Sequence, residues 1–220
     1  MNRTLIALTS FTALAASTAW AQKVEIGAVA GWTLSDGVTG DAIRAGDGNL
    51  YNSIGPKDSF SYGFDLGFFV SENIEIGGLF SQQKSNLLFG GGVERDLGSW
   101  SVDNYHGYLA FNSGDHQSKS RFYFLAGLGA TRYGSLNFTT AAGTTRSIGG
   151  NSQFSTTWGA GVKIYPGKNV GLKLGMRWTP TYIKSDATGW WCDPYWGCYV
   201  TGDSQYSNQF EFGGGITLRF

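Results

Sequence analysis

The amino-acid sequence predicts an all-β chain whose eight antiparallel strands close into an up-and-down barrel. The first observation is the composition, because 34 Gly, 8 Trp, 11 Tyr and 15 Phe among 220 residues leave few helix formers and favour strands. The second is the alternation of apolar and polar residues in successive segments, which is the period of a β-strand. The third is the order of the connections, which are long and short in turn along the chain.

The first residues have the parts of a secretory signal peptide. A positive charge at Arg3 precedes an apolar stretch at residues 5–14, and a small-x-small cleavage site ends at Ala21. The apolar stretch is shorter than the roughly 20 residues that a membrane-spanning helix needs. We therefore expect residues 1–21 to be removed during export and residues 22–220 to form one domain.

Alternation marks the strands, and the last segment shows it most fully. In residues 206–220, apolar residues at every second position end with Phe220. The fifth strand has apolar residues on both faces, so its facing stays open. The third strand starts at residue 74, and its end is blurred between residues 86 and 92. The other predicted strands lie near residues 24–33, 60–70, 100–111, 121–133, 157–164 and 170–178.

The connections between the predicted strands differ in length in a regular order. Short turns are predicted at residues 71–73, 112–120 and 166–169, whereas the other four connections are long. Transmembrane barrels have an even number of strands, short periplasmic turns and longer outside loops. The architecture of a soluble β-sandwich does not require short connections at one end and long connections at the other. The order therefore favours a barrel that crosses a membrane, with short periplasmic turns and long extracellular loops.

The polar faces of the strands predict what fills the barrel. If the apolar faces point at lipid, the opposite faces bring acids and bases into the interior in equal number. An eight-stranded barrel is just wide enough to be filled by side chains, and buried charges must be paired. The set therefore predicts an ion-paired lumen, with inward glycines that make room for the long side chains. The predicted network consists of Glu25, Asp65, Glu75, Lys163, Lys173, Arg177, Glu211 and Arg219.

A chain that ends on an alternating strand closed by an aromatic residue resembles the small eight-stranded outer-membrane β-barrels of the OmpA/OmpX kind. These belong to the broad porin family of outer-membrane β-barrel proteins. The resemblance covers the whole mature chain and implies the outer membrane of a Gram-negative-type bacterium, with no separate periplasmic domain after the barrel. It carries no catalytic motif. It also implies that the last strand is an assembly signal for the barrel assembly machinery, through Phe212, Ile216, Leu218 and Phe220.

The fourth outside segment carries both cysteines and a group of aromatic residues. Cys192 and Cys198 lie close together in an exported chain, and this compartment permits a disulfide between them. Two cysteines without a nearby histidine lack the four ligands of a structural zinc site. The aromatic residues form either a contact surface for a partner or lipopolysaccharide, or girdle residues at the membrane interface. They are Trp190, Trp191, Tyr195, Trp196 and Tyr199.

Three functions stay open for a membrane barrel of this kind. We expect a structural or surface-interaction protein; the alternatives are a narrow porin and a lipid A-modifying enzyme. For the enzyme, His106 is the histidine on a predicted strand; we expect it to face inward, and the sequence shows no His-x-Ser pair or outward-facing triad. No catalytic residue, metal or cofactor is predicted. The expected partners are outer-membrane lipid, lipopolysaccharide, the assembly machinery and an extracellular partner at the fourth outside segment.

The sequence disfavours two further classes of protein, a nucleic-acid-binding protein and a secreted soluble barrel. Lys and Arg number 16 and Asp and Glu number 16, so no basic field exists to attract nucleic acid. A secreted soluble barrel of the lipocalin kind, indicated by Gly31-Trp32, uses the same alternation with the opposite facing. The terminal Phe220 and the order of the connections favour the membrane over this soluble barrel.

Overall fold

The computed structural model describes residues 24–44, 49–91, 93–115, 117–139, 145–148, 150–183, 192–193, 197–198 and 205–220. All regular structure in this part of the chain is β, and it contains no helix that could cross a membrane. The strands are β1 (Val24–Ser35), β2 (Val38–Arg44), β3 (Leu50–Pro56), β4 (Ser59–Phe69), β5 (Ile74–Gly91), β6 (Arg95–Asn112), β7 (Ser120–Tyr133), β8 (Leu136–Thr139), β9 (Thr145–Ile148), β10 (Asn151–Ile164), β11 (Val170–Ile183), β12 (Cys192–Asp193), β13 (Gly197–Cys198) and β14 (Gln205–Arg219).

Eight of these strands form a closed barrel. They follow one another around it in the order β1, β4, β5, β6, β7, β10, β11 and β14, and each is antiparallel to both neighbours. The first and last strands pair with each other, from Glu25 opposite Arg219 to Ser35 opposite Gln209. Closure satisfies the backbone groups that a sheet edge would leave unpaired. The predicted fold class, an eight-stranded antiparallel up-and-down barrel, is confirmed.

Three short turns join the barrel strands at one end, which we call the turn end; the opposite end is the loop end. The turns cover residues 70–73, 113–119 and 165–169, close to the predicted positions. Side chains tie the turns to the barrel: Asn73 Nδ2 donates to the Asn112 carbonyl at 2.8 Å. The short connections therefore all lie on the same side of the barrel, as the lengths of the predicted connections indicated.

The loop end differs from the prediction in the first two outside segments. The first segment contains the β2–β3 hairpin, and β3 continues the sheet by pairing with β5, with Ile54 opposite Phe89. β5 and β6 are 18 residues long and are joined by residues 92–94, so the predicted long second connection is wrong. Glycines and a bulge near Leu87 interrupt the alternation of apolar and polar residues, so the pattern did not show the full length of β5 and β6. Backbone pairing between these two strands stabilises them.

The barrel places its apolar side chains outside and its charged side chains inside. Phe122 is 72% exposed on the outer wall, whereas Glu25 is fully buried in the lumen. On β7, whose facing the sequence left open, Phe122 and Phe124 face outward and Tyr123 and Leu125 face inward. This facing is the one expected for contact with lipid, and it is opposite to that of a soluble lipocalin-like barrel.

Candidate functional site

The turn end of the lumen is filled by a buried group of charges that we call the lower ionic cluster: Glu25, Glu75, Arg121 and Lys163. The Nζ of Lys163 lies 2.5 Å from Glu25 Oε2 and 2.8 Å from Glu75 Oε2, so one ammonium group bridges two carboxylates. Arg121 pairs with the other oxygen of Glu25. All four side chains are at most 2% exposed. The cluster therefore joins β1, β5, β7 and β10 across the lumen by paired charges, although Nε and Nη1 of Arg121 have no hydrogen-bond partner among the described residues.

Tyr165 and Arg219 close the lumen below the lower ionic cluster. The Tyr165 hydroxyl donates to Glu25 Oε1 at 2.8 Å, and the Arg219 guanidinium carbon lies 4.0 Å from the Tyr165 ring centroid. Arg219 Nε donates to the Lys168 carbonyl at 2.5 Å, and its Nη1 donates to the Ser118 carbonyl at 3.3 Å. Arg219 thus binds the backbone of two turns, so its place is at the rim of the lumen.

Two further ion pairs, which we call the upper ion pairs, lie farther along the lumen. Lys173 Nζ is 2.7 Å from Asp65 Oδ1, and Arg177 Nη2 is 2.7 Å from Glu211 Oε2. Arg177 also donates to Ser81 Oγ at 2.5 Å, which connects β11 to β5 across the lumen. A cavity of about 50 Å³ lies between the upper ion pairs and the lower ionic cluster, and it has room for a few water molecules.

A layer of neutral polar side chains follows toward the loop end. His106 Nε2 and Ser155 Oγ lie 2.8 Å apart, and Thr131 Oγ1 lies 3.0 Å from the same serine oxygen. Asn104 Nδ2 donates to Gln209 Oε1 at 3.1 Å. These bonds link β6, β7, β10 and β14, so hydrogen bonds connect the strands here in the way that ion pairs connect them below.

The loop end of the lumen is closed by a packed group of apolar residues that we call the apolar cap. Trp100 and Tyr133 stack with ring centroids 5.4 Å apart, and Trp100 Nε1 donates to the Gly134 carbonyl at 2.7 Å. Ile54 from the β2–β3 hairpin packs into the same cluster, so the first outside segment supplies part of the cap. The other buried members are Val38, Tyr51, Leu87, Phe89, Val102, Leu136 and Ile183.

The described structure is similar to solved outer-membrane proteins. Neisserial surface protein A matches with a TM-score of 0.53 and 14% identity, over 90% of this chain and 97% of that protein. OprG from Pseudomonas aeruginosa matches with a TM-score of 0.51 and 11% identity, over 90% and 97%. The outer membrane protease OmpT from Escherichia coli matches with a TM-score of 0.50 and 8% identity, over 91% and 97%. The chain has the outer-membrane β-barrel fold.

The similarity of this outer-membrane β-barrel to other proteins is therefore one of fold. No protein-family model matches the sequence, and no curated protein shows significant sequence similarity to it.

The outer wall of the outer-membrane β-barrel carries an apolar band with aromatic residues toward the loop end. Trp178 stacks on Phe210 with ring centroids 6.1 Å apart, and its Nε1 donates to Asn208 Oδ1 at 3.0 Å. Tyr182 and Tyr206 form a second ring pair beyond them. Such amphipathic rings are typical of the interface between lipid and water.

The terminal strand lies in this band. Phe212, Ile216 and Phe220 are exposed on the outer wall, and Leu218 between them is half-buried. β14 pairs with β1 on one side and β11 on the other, so it closes the barrel. Its role as an assembly signal stays a prediction.

The fourth outside segment is described in its backbone at the two cysteines. Cys192 lies directly opposite Cys198 in the β12–β13 pair. The aromatic residues of the predicted contact surface lie outside the described residues: Trp190, Trp191, Tyr195, Trp196 and Tyr199.

Arg121 belongs to the lower ionic cluster and is absent from the network that the sequence predicts. It starts a strand that is apolar on both faces, so alternation alone did not place it. The available signal is energetic and weak, because the cost of an arginine facing lipid falls from about 2–4 kcal/mol at the midplane to about 0–1 kcal/mol near the interfaces. Arg121 and Tyr123 share a face, which the structure shows to be the inner one.

The sequence shows no His-x-Ser pair at His106, and the structure brings Ser155 from another strand beside it. Gly129 on β7 lies opposite both residues and carries no side chain to separate them. A histidine and a serine at this distance can form a nucleophilic pair when a third group orients the imidazole. Within the described residues His106 Nδ1 has no hydrogen-bond partner, and Ser155 is 1% exposed. The pair therefore connects β6 and β10 in the buried interior of the barrel.

Proposed function

We propose that the chain is an outer-membrane protein of structural and surface-interaction type whose lumen is closed to ions and solutes. The observation that carries this proposal is the series of side-chain layers along the lumen. From the turn end they are the lower ionic cluster, the upper ion pairs, the neutral layer and the apolar cap. The apolar outer wall supports a membrane location, and the predicted signal peptide at residues 1–21 supports export.

The contacts of the interior charges favour a closed lumen over a narrow porin. Lys173 and Arg177 could line an ion path, but each is already held at 2.7 Å by a carboxylate. A passing ion would have to separate these pairs in surroundings of low dielectric constant, where unpaired charges are costly. It would also have to cross the apolar cap, whose described members carry no charged side chain of the kind that lines ion pores.

The contacts around His106 and Ser155 make a lipid A-modifying enzyme the weaker candidate. A substrate in the membrane would have to reach a serine that is buried among Thr131 and other neighbours inside the barrel. We expect overexpression of the chain to leave the acyl chains of lipid A unchanged, as measured by mass spectrometry. Loss of an acyl chain that depends on His106 would instead support the enzyme.

With the lumen closed, we place surface interactions on the outside segments, and first on the fourth. Directly opposite residues of an antiparallel pair have Cα atoms about 4.5–5.5 Å apart, within the range that a disulfide spans. The backbone pairing of Cys192 with Cys198 thus supports a disulfide between them. A cross-link closing so short a loop would stabilise it by about 2 kcal/mol. It would hold the aromatic residues around it in a fixed surface.

The experiment that tests the proposed function is refolding of residues 22–220 into lipid vesicles. We expect the folded protein to migrate differently in unboiled and boiled gels, and protease added outside to cut the loops and spare the barrel strands. Deleting residues 186–202 should keep this mobility, because the segment lies beyond the ends of β11 and β14. A wild-type chain that never acquires the altered mobility would show that it is not a membrane barrel.

A further inference from the structure

One face of the outer wall, formed by β5 and β6, contains a groove at mid-height. Gly78 and Gly107 lie directly opposite each other and both are exposed. A Cβ added at either position would have its nearest heavy atom 4.0 Å away, so internal packing does not require glycine there. The rings of Phe64, Phe80 and Tyr105 border the resulting open groove of about 560 Å³. We call it the glycine groove; it faces the membrane and is apolar.

The same face becomes polar and cationic toward the loop end. Above the rings lie first Gln82 opposite Asp103, and then Lys84. Arg132 on β7 is the neighbour of Asp103. Lys84 and Arg132 are exposed, and within the described part of the chain no ion pair or hydrogen bond engages either side chain. We call Lys84, Arg132, Gln82 and Asp103 the cationic patch; it borders an open cleft of about 830 Å³.

The charges of the cationic patch favour an anionic ligand. Asp103 accepts a hydrogen bond from Gln82 Nε2 at 2.7 Å, and Lys57 and Asp58 line the same cleft. Three cations therefore face two carboxylates, which leaves a net positive charge, and among the described residues no group pairs with Lys84 or Arg132. A phosphate group is the natural partner of such a pair, because guanidinium and ammonium groups bind its oxygens through charge-assisted hydrogen bonds.

The spacing between the groove and the patch matches a lipid. Six residues along β5 separate Gly78 from Lys84, which corresponds to about 20 Å of extended strand. For strands tilted by roughly 35–45°, this is about 15 Å along the membrane normal, or half of the hydrocarbon core. The cationic patch then lies at the level of the head groups when the glycine groove lies at the depth of the acyl chains.

We propose that this face binds one lipid A molecule of the outer leaflet, with a phosphate on Lys84 and Arg132 and an acyl chain in the glycine groove. The inference rests on the proposed membrane location with the loop end outside. A second copy of the barrel fits the face less well, because it would lie at the same depth in the membrane and offers no phosphate group to Lys84 and Arg132. The phosphate and the acyl chain are both needed to satisfy the two parts of the face.

The test is native mass spectrometry of the refolded barrel released from detergent in the presence of diphosphoryl lipid A. We expect lipid A to stay bound more than phosphatidylcholine. The K84Q/R132Q double variant should lower the affinity for lipid A by about tenfold or more, because it removes two charge-assisted contacts. Gly107→Leu, which fills the groove, should lower it by about fivefold or more; Gly78→Leu is the second variant if that one does not fold.

Matched controls separate these effects from a general change of surface. Lys168→Gln removes an exposed lysine at the turn end, and Ala160→Leu adds a leucine to the outer wall on β10; both should retain lipid A as the wild type does. The proposal would be overturned if the K84Q/R132Q, Gly107→Leu and Gly78→Leu variants all retained lipid A as the wild type does. It would also be overturned if the wild type retained phosphatidylglycerol as well as it retains lipid A. A wild-type chain that does not fold into lipid would defeat the proposed function as well. A folded chain that binds no lipid A defeats this inference alone.

Discussion

The buried charges in the lumen are stabilised by the ion pairs and hydrogen bonds that they make with one another and with their neighbours. Glu75 shows this at the level of one residue: it accepts hydrogen bonds from Tyr108 at 2.7 Å and Asn112 at 3.1 Å, and pairs with Lys163 at 2.8 Å. A single buried carboxylate would be costly, whereas one with these partners has its oxygens satisfied. The structure therefore makes each member of the lower ionic cluster depend on the others.

Replacing Lys163 with methionine tests this dependence. The change leaves Glu75 buried without the cation that pairs with it, while Glu25 keeps Arg121. We expect the free energy of unfolding to fall by about 3 kcal/mol, measured by urea denaturation in lipid vesicles. Lys168→Met in an exposed turn is the control and should change it by less than about 0.5 kcal/mol. Equal stability of the two variants would contradict the account of the cluster.

Asp115 in the second turn predicts a local dependence on pH. The hydrogen bond from Ser118 Oγ, 2.9 Å long, holds the pKa of Asp115 below its usual value, and the amide of Gln117 adds a bond of 3.0 Å. A lowered pKa in the folded state means that these bonds stabilise the turn above the usual pKa and are lost as the pH falls through the lowered one. We expect the hydrogen-exchange protection of the Gln117 amide to decrease in that acid range.

The comparison for this pH effect is Asp115→Asn, whose side-chain oxygen accepts hydrogen bonds but does not titrate. Protection of the Gln117 amide in this variant should stay constant through the same range. Protection that decreases equally in both proteins would assign the pH effect to another group.

Among the strands, the inward glycines decide which long side chains fit the lumen. A Cβ on Gly67 would collide with a carboxylate oxygen of Glu75, and one on Gly161 would lie 2.7 Å from the Tyr123 hydroxyl. The long side chains thus occupy the space that the glycines leave, as the sequence predicted. Alternation identifies a glycine as inward, but the residue above it comes from another strand and cannot be read from the local sequence.

Two adjacent glycines on β5 test this role within one strand. A Cβ on Gly77 would lie 2.6 Å from Tyr108 Cζ and would collide with the Leu66 carbonyl, whereas a Cβ on Gly78 meets nothing closer than 4.0 Å. We expect Gly77→Ala to lower the free energy of unfolding by about 1–3 kcal/mol. Gly78→Ala should leave it unchanged or raise it by up to about 1 kcal/mol. The reverse order in urea denaturation would refute the assigned facing of β5.

Alternation predicted the strands that have one lipid-facing side, and it failed where the strands leave the membrane. Val38 and Ile54 of the β2–β3 hairpin are buried in the apolar cap, yet their neighbours in sequence are polar and glycine-rich. The upper parts of β5 and β6 likewise lose the simple period at a bulge near Leu87. These elements are stabilised by pairing and packing with distant segments, which a local pattern does not contain.

In the whole molecule, the two ends of the lumen are closed by different interactions: ion pairs at the turn end and apolar packing at the loop end. The sequence predicted the charges of the interior because ionisable residues on an alternating strand are easy to recognise. It did not predict the apolar cap, because Trp100, Tyr133 and Ile183 come from separate strands and meet only in the folded barrel. Predicting the cap would have required the pairing of the strands beyond the membrane.

Trp100→Ala tests the contribution of the apolar cap. The change removes a buried ring that stacks on Tyr133, so we expect a loss of about 3–5 kcal/mol in the free energy of unfolding. The lower ionic cluster lies at the other end of the lumen and should keep the barrel closed. Thermal unfolding in vesicles measures the first effect, and a stability equal to the wild type would show that the cap is not packed as described.

The central claim is that side chains close the lumen along its length, and single-channel current through the refolded chain of residues 22–220 tests it most directly. In planar bilayers that contain the folded protein, as shown by its mobility in unboiled gels, we predict no discrete current steps. Regular steps that change when Lys173, Arg177 or Glu211 is neutralised would contradict the claim, because they would show that ions pass between the pairs now taken to hold the lumen shut.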